Sequence, residues 1–367
     1  KRAISRDTMK AILFILAVTT GLAFAGSPER ARLISRAFDQ SYQQWTSDVR
    51  TAATNDAQNA AWRRRPDEIE VGRKIWEEIR NDLDKSWTLE PAAWLLVNAS
   101  TYAVKQVRKP ARRGDPTRPA GIIREAVRSN HLLSPKLGSY CIALTHIQDP
   151  RSMALLETIE KANPSEMVRG ASALAQAILH RRIGGGKRGM AIRQDKLRKA
   201  IMAPDLTVGK TTTQAILRDE LFRMSRLNLG AEAPDFTGVE VTLNKSSLSD
   251  YRGKVTILFF WHALMPAHDE SLALMKKYQE EFVDKNIQIL GVNMDDPRTL
   301  RRHIAEGTVN WTNFSDSTQS ITKIYRIEQW PFVYVLDEEH KIRYSGEPGA
   351  FVKITAEDLA RQVAAGE

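Results

Sequence analysis

Cysteine is nearly missing from this chain. One residue, Cys141, stands alone in 367, so no intrachain disulfide can form and any fold must rest on packed cores. Long apolar runs are scarce as well: the run over residues 11–25 falls short of the roughly 20 residues a membrane-spanning helix needs. Negative charge is sparse in the first 230 residues, which hold 39 Lys and Arg against 23 Asp and Glu, a net of +16. Residues 231–367 reverse the sign, with 15 against 21 and a net of −6. Aromatic residues are absent from the two basic runs, 105–119 and 180–199, which leaves nothing there to stack bases and argues against nucleic acid as a partner. A phosphate-binding loop is excluded too: Val208-Gly209-Lys210-Thr211-Thr212 has Pro204 where the first glycine belongs, and no apolar strand leads into it.

Several features are present. Lys1, Arg2, Arg6 and Lys10 precede the apolar run, and Ala23-Phe24-Ala25 before Gly26 has the small-x-small form of a signal-peptidase site, with Met9 a candidate start. Residues 1–25 are therefore expected to be a signal peptide, and the protein to be exported, periplasmic or secreted. An uncleaved leader tethering it to a membrane is the alternative. The change of charge sign and the Gly/Pro-punctuated stretch 227–234 predict a boundary between a helical basic domain over 26–226 and a second domain over 235–367.

The first domain reads as helices, with one-sided stripes such as Val71, Ile75, Ile79 and Leu83. Asn163-Pro164-Ser165-Glu166 offers an N-cap, a proline at the first helical position and a glutamate three after the cap. The helix expected after it carries Val168, Ala171, Leu174, Ala175 and Ile178 on one side; with a helix over 153–161 it resembles a HEAT-like pair. Cys141 sits in an apolar helical context as a small buried hydrophobe. The basic runs predict a solvated face able to meet an anionic envelope polymer.

The second domain begins with the continuous apolar run 255–260, the pattern of a strand covered on both faces. A helix over 271–284, a buried strand over 287–293, helices near 299–306 and 318–325, a hairpin from 332–336 and 342–345, and a final helix over 356–363 follow. That order predicts an α/β sandwich with a mixed sheet. The histidines give no catalytic constellation: His303 is expected on a solvated helix face and His340 in the hairpin turn.

Ala233-Pro234-Asp235-Phe236, Leu248-Ser249-Asp250-Tyr251-Arg252-Gly253-Lys254, Phe260-Trp261, Tyr325-x-Ile327, Pro331 and Asp337 occur in that order, and together they resemble the thioredoxin-like redoxins of the AhpC/TSA and TlpA type. The resemblance implies a thioredoxin-like α/β sandwich after the helical domain, with thiol–disulfide or antioxidant activity. It also implies that FFWHALMPAHDE, residues 259–270, aligns with the loop whose two redox cysteines stand where this chain has Met265 and His268, and that Pro331 is the cis-proline facing them.

A thioether and an imidazole cannot form a disulfide or supply a thiolate. The expectation is therefore a domain without a catalytic group or cofactor, which binds a protein or peptide in a groove lined by Trp261, Trp330, Pro331 and Phe332. The alternatives are the oxidoreductase activity that the resemblance implies, and a copper site from His262, Met265 and His268.

Overall fold

The computed structural model describes residues 26–365 except 53, 114, 148, 184, 185 and 266. The expected signal peptide lies outside the described residues, as does Pro266. The described residues divide into two compact units, one formed by residues 26–45 and 64–208, the other by 46–63 and 209–365.

The first unit is helical. Its elements include α1 (Pro28–Thr51, as far as Trp45), α2 (Glu68–Ile79), α3 (Leu89–Asn98), α4 (Pro119–Ala126), α5 (Gly138–Ala143), α6 (Arg151–Ala162), α7 (Glu166–Ile183) and α8 (Gly186–Met202). Asp67 starts α2 by accepting the amides of Ile69 and Glu70 at 2.8 and 3.1 Å, which satisfies two of the donors a helix start leaves open. Val71, Ile75 and Ile79 are buried as the stripe predicts, while Leu83 falls beyond the helix end.

Helix α7 differs from the one-sided expectation. Val168 and the whole stretch from Gly170 to Ile178 are buried, Ser172 and Gln176 included, because α5, α6 and α8 all pack against it. Its start differs as well. Asn163 closes α6, and α7 begins only at Glu166. The Asn163 side chain accepts the Ser165 amide at 2.9 Å and donates to the Leu132 and Ser134 carbonyls at 2.7 and 3.0 Å. A residue holding two segments together cannot also sit at an ideal cap. Within the basic run 180–199, Lys199 lies 2.8 Å from Glu160, and Lys196 pairs with the same carboxylate.

The second unit contains α9 (Thr213–Arg226), capped by the Thr212 hydroxyl, which accepts the Ala215 amide at 3.2 Å. This helix, expected within the helical domain, packs on the sheet unit: Phe222 and Leu227 join its core, Arg223 pairs with Glu328 at 2.8 Å, and Asp219 pairs with Arg326 at 2.8 Å. The stretch 227–234, expected as a linker, is bound along an edge strand. Gly230 and Ala233 donate to the Ile342 and His340 carbonyls at 2.7 and 2.8 Å, and Ala231 accepts from Ile342 at 2.8 Å.

Seven strands form the sheet: β1 (Thr237–Glu240), β2 (Lys245–Ser247), β3 (Val255–Trp261), β4 (Ile287–Asn293), β5 (Thr312–Ser315), β6 (Phe332–Leu336) and β7 (Ile342–Gly346). Their order is β2-β1-β5-β4-β3-β6-β7. Strand β3 pairs parallel with β4, Trp261 opposite Asn293, and antiparallel with β6, Phe260 opposite Phe332. All seven residues of β3 are buried. Alternation sends Val255, Ile257, Phe259 and Trp261 to one face and Leu258 and Phe260 to the other.

The first face is covered by α10 (His268–Glu281), α11 (Pro297–Ala305) and α13 (Ala350–Ala365) through Leu272, Met275, Leu300, Val352 and Ala356; α12 (Ser320–Ile324) covers the second with Ile321. This is the thioredoxin-like α/β sandwich that the sequence predicts, with the two buried parallel strands at its centre.

Candidate functional site

Strands β3 and β4 run parallel and end side by side, so the loops that follow them, 262–267 and 294–296, meet at one end of the sheet. Open α/β sheets place their sites at such carboxyl ends. The chain enters β6 at this same end, since Phe332 lies opposite Phe260, and the Trp330–Pro331 peptide just before it is cis. The sheet therefore brings Met265, His268, Trp330 and Pro331 to one end from positions more than sixty residues apart in the sequence.

The loop after β3 is held from below. Asp295 Oδ2 accepts the Ala263 amide at 2.8 Å and the Asn293 side-chain amide at 2.9 Å, while Asn293 Oδ1 accepts the Asp295 amide at 3.0 Å. Burial pushes the Asp295 carboxyl above its ordinary range, opposed by those two bonds and by the charge of Arg302. His262 turns its Nδ1 to accept the Leu264 amide at 3.1 Å and sets its ring edge-on to Trp330, with centroids 4.9 Å apart.

Met265 is buried in the core cluster that contains Trp261. His268 opens α10, with Nδ1 2.9 Å from Asp269 Oδ1. Ala267, just before the helix, takes a left-handed conformation with φ of 49° and supplies no side-chain cap.

The expected groove is only partly assembled. Trp330, Pro331 and Phe332 are half-buried and contiguous, and His262 joins them. Trp261 does not line a groove: it is fully buried, and its Nε1 donates to Asn313 Oδ1 at 3.0 Å. Seven-residue burial of β3 and its alternation put Trp261 on the inner face, under the helices. The copper set of His262, Met265 and His268 is not brought together either, because His262 faces Trp330 while His268 faces His303, ring centroids 5.2 Å apart.

Among the described residues no group of three or more His, Cys, Asp or Glu side chains converges to hold a metal. Cys141 lies in the other unit, fully buried, and burial pushes its thiol up to about 12. Among the described residues no helix is long and apolar enough to cross a membrane.

Sequence reasoning missed three residues at this end. Asp295 stands two residues beyond a buried parallel strand, a position that was itself a signal. His303 was expected on a solvated face, yet it is 8% exposed, since α11 turns Leu300 and His303, three apart, to the same inner side. Asn313 comes from the short polar strand β5, which carries no periodic signal.

Fold and site together define a thioredoxin-like domain. Residues 229–345 match the model of the AhpC/TSA family. The chain is 27% identical over 121 residues to the thioredoxin-like protein YneN of Bacillus subtilis, covering 31% of this chain and 68% of that one. It is 32% identical over 133 residues to the putative peroxiredoxin ycf42 of Trieres chinensis, covering 32% and 65%. The chain thus spans about two thirds of the length of these relatives. Among solved structures, the thioredoxin domain of a thiol-disulfide oxidoreductase from Bacteroides vulgatus is 26% identical, with 36% of this chain and 98% of that one covered and a TM-score of 0.34.

Proposed function

We propose that the second unit is a redoxin scaffold without redox chemistry, which binds an extended protein segment beside Trp330, Pro331 and Phe332, and that the protein is exported. The observation that carries this reading is the chemistry of two positions. The loop that meets the cis-proline offers a thioether at Met265 and an imidazole at His268, and neither can form the mixed disulfide that thiol exchange requires.

The one thiol in the chain is buried in the other unit and held almost entirely protonated. What remains at the sheet end suits recognition: half-buried aromatic rings on either side of a proline give an extended backbone apolar contacts of the kind that anchor interfaces. Relatives named as thiol-disulfide oxidoreductases and peroxiredoxins favour the second reading, in which the domain retains a thiol-dependent activity.

The test uses the full chain carrying Cys141→Ser and a thiol-free unfolded polypeptide, reduced and alkylated insulin B chain. Binding is expected to perturb the Trp330 indole resonance and to weaken about tenfold in Trp330→Ala, a change of about 1.4 kcal/mol. No binding, or binding indifferent to Trp330→Ala, would rule out this surface.

A further inference from the structure

The His268 and His303 rings lie side by side, and each has a buried Nε2 without a protein partner. The tautomers follow from the hydrogen bonds on the other side of each ring. Thr308 Oγ1 donates its proton to the His303 carbonyl at 2.9 Å, so at 3.1 Å from His303 Nδ1 it can only accept. His303 therefore carries its proton on Nδ1, and Nε2 holds the lone pair. His268 Nδ1 lies 2.9 Å from the Asp269 carboxylate, which likewise accepts, so in the neutral ring Nε2 is the nitrogen that holds the lone pair.

Both Nε2 atoms are buried and without a hydrogen-bond partner. The rings lie 5.2 Å apart, and both pack on the Trp261 indole, at 6.2 and 5.6 Å. Two buried acceptors without a donor are costly, since each forfeits its bond to water.

We infer that His268 and His303 form a two-imidazole site for Cu(I), and that Met265, buried in the same core cluster as the Trp261 on which both rings pack, supplies the third donor. Metal-binding imidazoles characteristically give their other N–H to a carboxylate or hydroxyl that fixes the tautomer, and Asp269 and Thr308 stand in those roles. With metal–nitrogen bonds of about 2 Å, two rings sharing an ion through Nε2 have centroids about 5–6 Å apart, and the observed spacing lies in that range.

The donor set selects the ion. Zn(II) in closed sites takes four ligands, and no third His, Cys, Asp or Glu converges among the described residues. A monovalent soft cation accepts two imidazoles and a thioether and needs no carboxylate to balance its charge. The site lies on the Trp261 and α11 side of the loop, whereas His262 faces Trp330, so it is independent of the peptide-binding surface.

The experiment titrates the full chain, in the Cys141→Ser background and under reductant, with Cu(I) held by the chromophoric chelator bicinchoninate; Zn(II) serves as the comparison ion. One Cu(I) per chain is expected, with a rise in melting temperature that Zn(II) does not produce. His268→Gln and His303→Gln should each abolish competition with the chelator, Thr308→Ala should weaken it about 10–100-fold, and His262→Gln should leave it intact. His268 stands at a helix start, so its variant keeps the test valid if His303→Gln does not fold. Absence of copper uptake, uptake unchanged in His268→Gln, or tighter binding of Zn(II) would overturn the assignment; in that event the two nitrogens share only a proton.

Discussion

Replacing Met265 and His268 together by cysteine should give the domain thiol-exchange activity on the proposed reading, and the size of the gain follows from the structure. The native chain has only Cys141, whose thiol is raised to about 12, so at pH 7 about one molecule in 10⁵ carries the thiolate. A cysteine at position 265 would stand just ahead of the fourteen-residue helix α10, where helix N-termini lower thiols into the range of about 3.5–7.5.

At an assumed value of about 7, half would be ionised and the thiolate population would rise by about 10⁵. Intrinsic nucleophilicity falls with basicity, with a Brønsted coefficient of about 0.4–0.5, which returns about two to two and a half decades. The net expectation is attack about 10²–10³-fold faster per accessible thiol, and Cys141, fully buried, falls below even that baseline. Dithiothreitol-driven insulin reduction by the wild type, by Cys141→Ser and by Met265→Cys/His268→Cys measures it directly. Turnover by the wild type that survives Cys141→Ser would refute the inactivity reading. A double variant no faster than the wild type would refute the claim that the loop keeps a redoxin geometry.

Two further outcomes follow from the packing. A β-carbon on Gly291 would lie 1.9 Å from Asn313 Oδ1 and 2.8 Å from Trp311 Nε1, so Gly291→Ala must push aside the amide that accepts from Trp261. Overpacking of about 1–3 kcal/mol and a stranded buried indole N–H of about 1–3 kcal/mol predict a loss of about 2–6 kcal/mol in urea unfolding followed by near-ultraviolet circular dichroism; a loss below about 1 kcal/mol would contradict the close approach.

His340 is 1% exposed in the β6–β7 turn, and burial, reinforced by Arg252, holds its imidazole below the ordinary value. Its folded state binds the proton more weakly than the unfolded state, so stability should be intact above about pH 6.5 and decline as pH falls through that value toward the lower folded one. In His340→Asn, which also suits the positive φ of 63°, the acid-side slope of the unfolding midpoint should become shallower, and an unchanged slope would remove His340 as its source.

Much of this protein was determined by its sequence alone. Period and composition are local properties, so the buried strands over 287–293 and 332–336 were legible to the residue, and the strand from Val255 to within one residue of its end. The residue types at positions 265 and 268 were equally legible, because the absence of a thiol there needs no coordinates to be noticed. Strands β1, β2 and β5 were not legible: they are short and polar, and their extended form exists only because neighbouring strands pair with them.

Tertiary structure alone decided which side chains share a space. It turned Trp261 inward by the alternation of a strand covered on both faces. It bound residues 230–233 along β7, put α9 on the sheet unit, and sent His262 to Trp330 while bringing His268 to His303 across thirty-five residues of chain. A sequence specifies faces and periods through local geometry, but which two faces meet is settled by the whole chain burying its apolar surface at once.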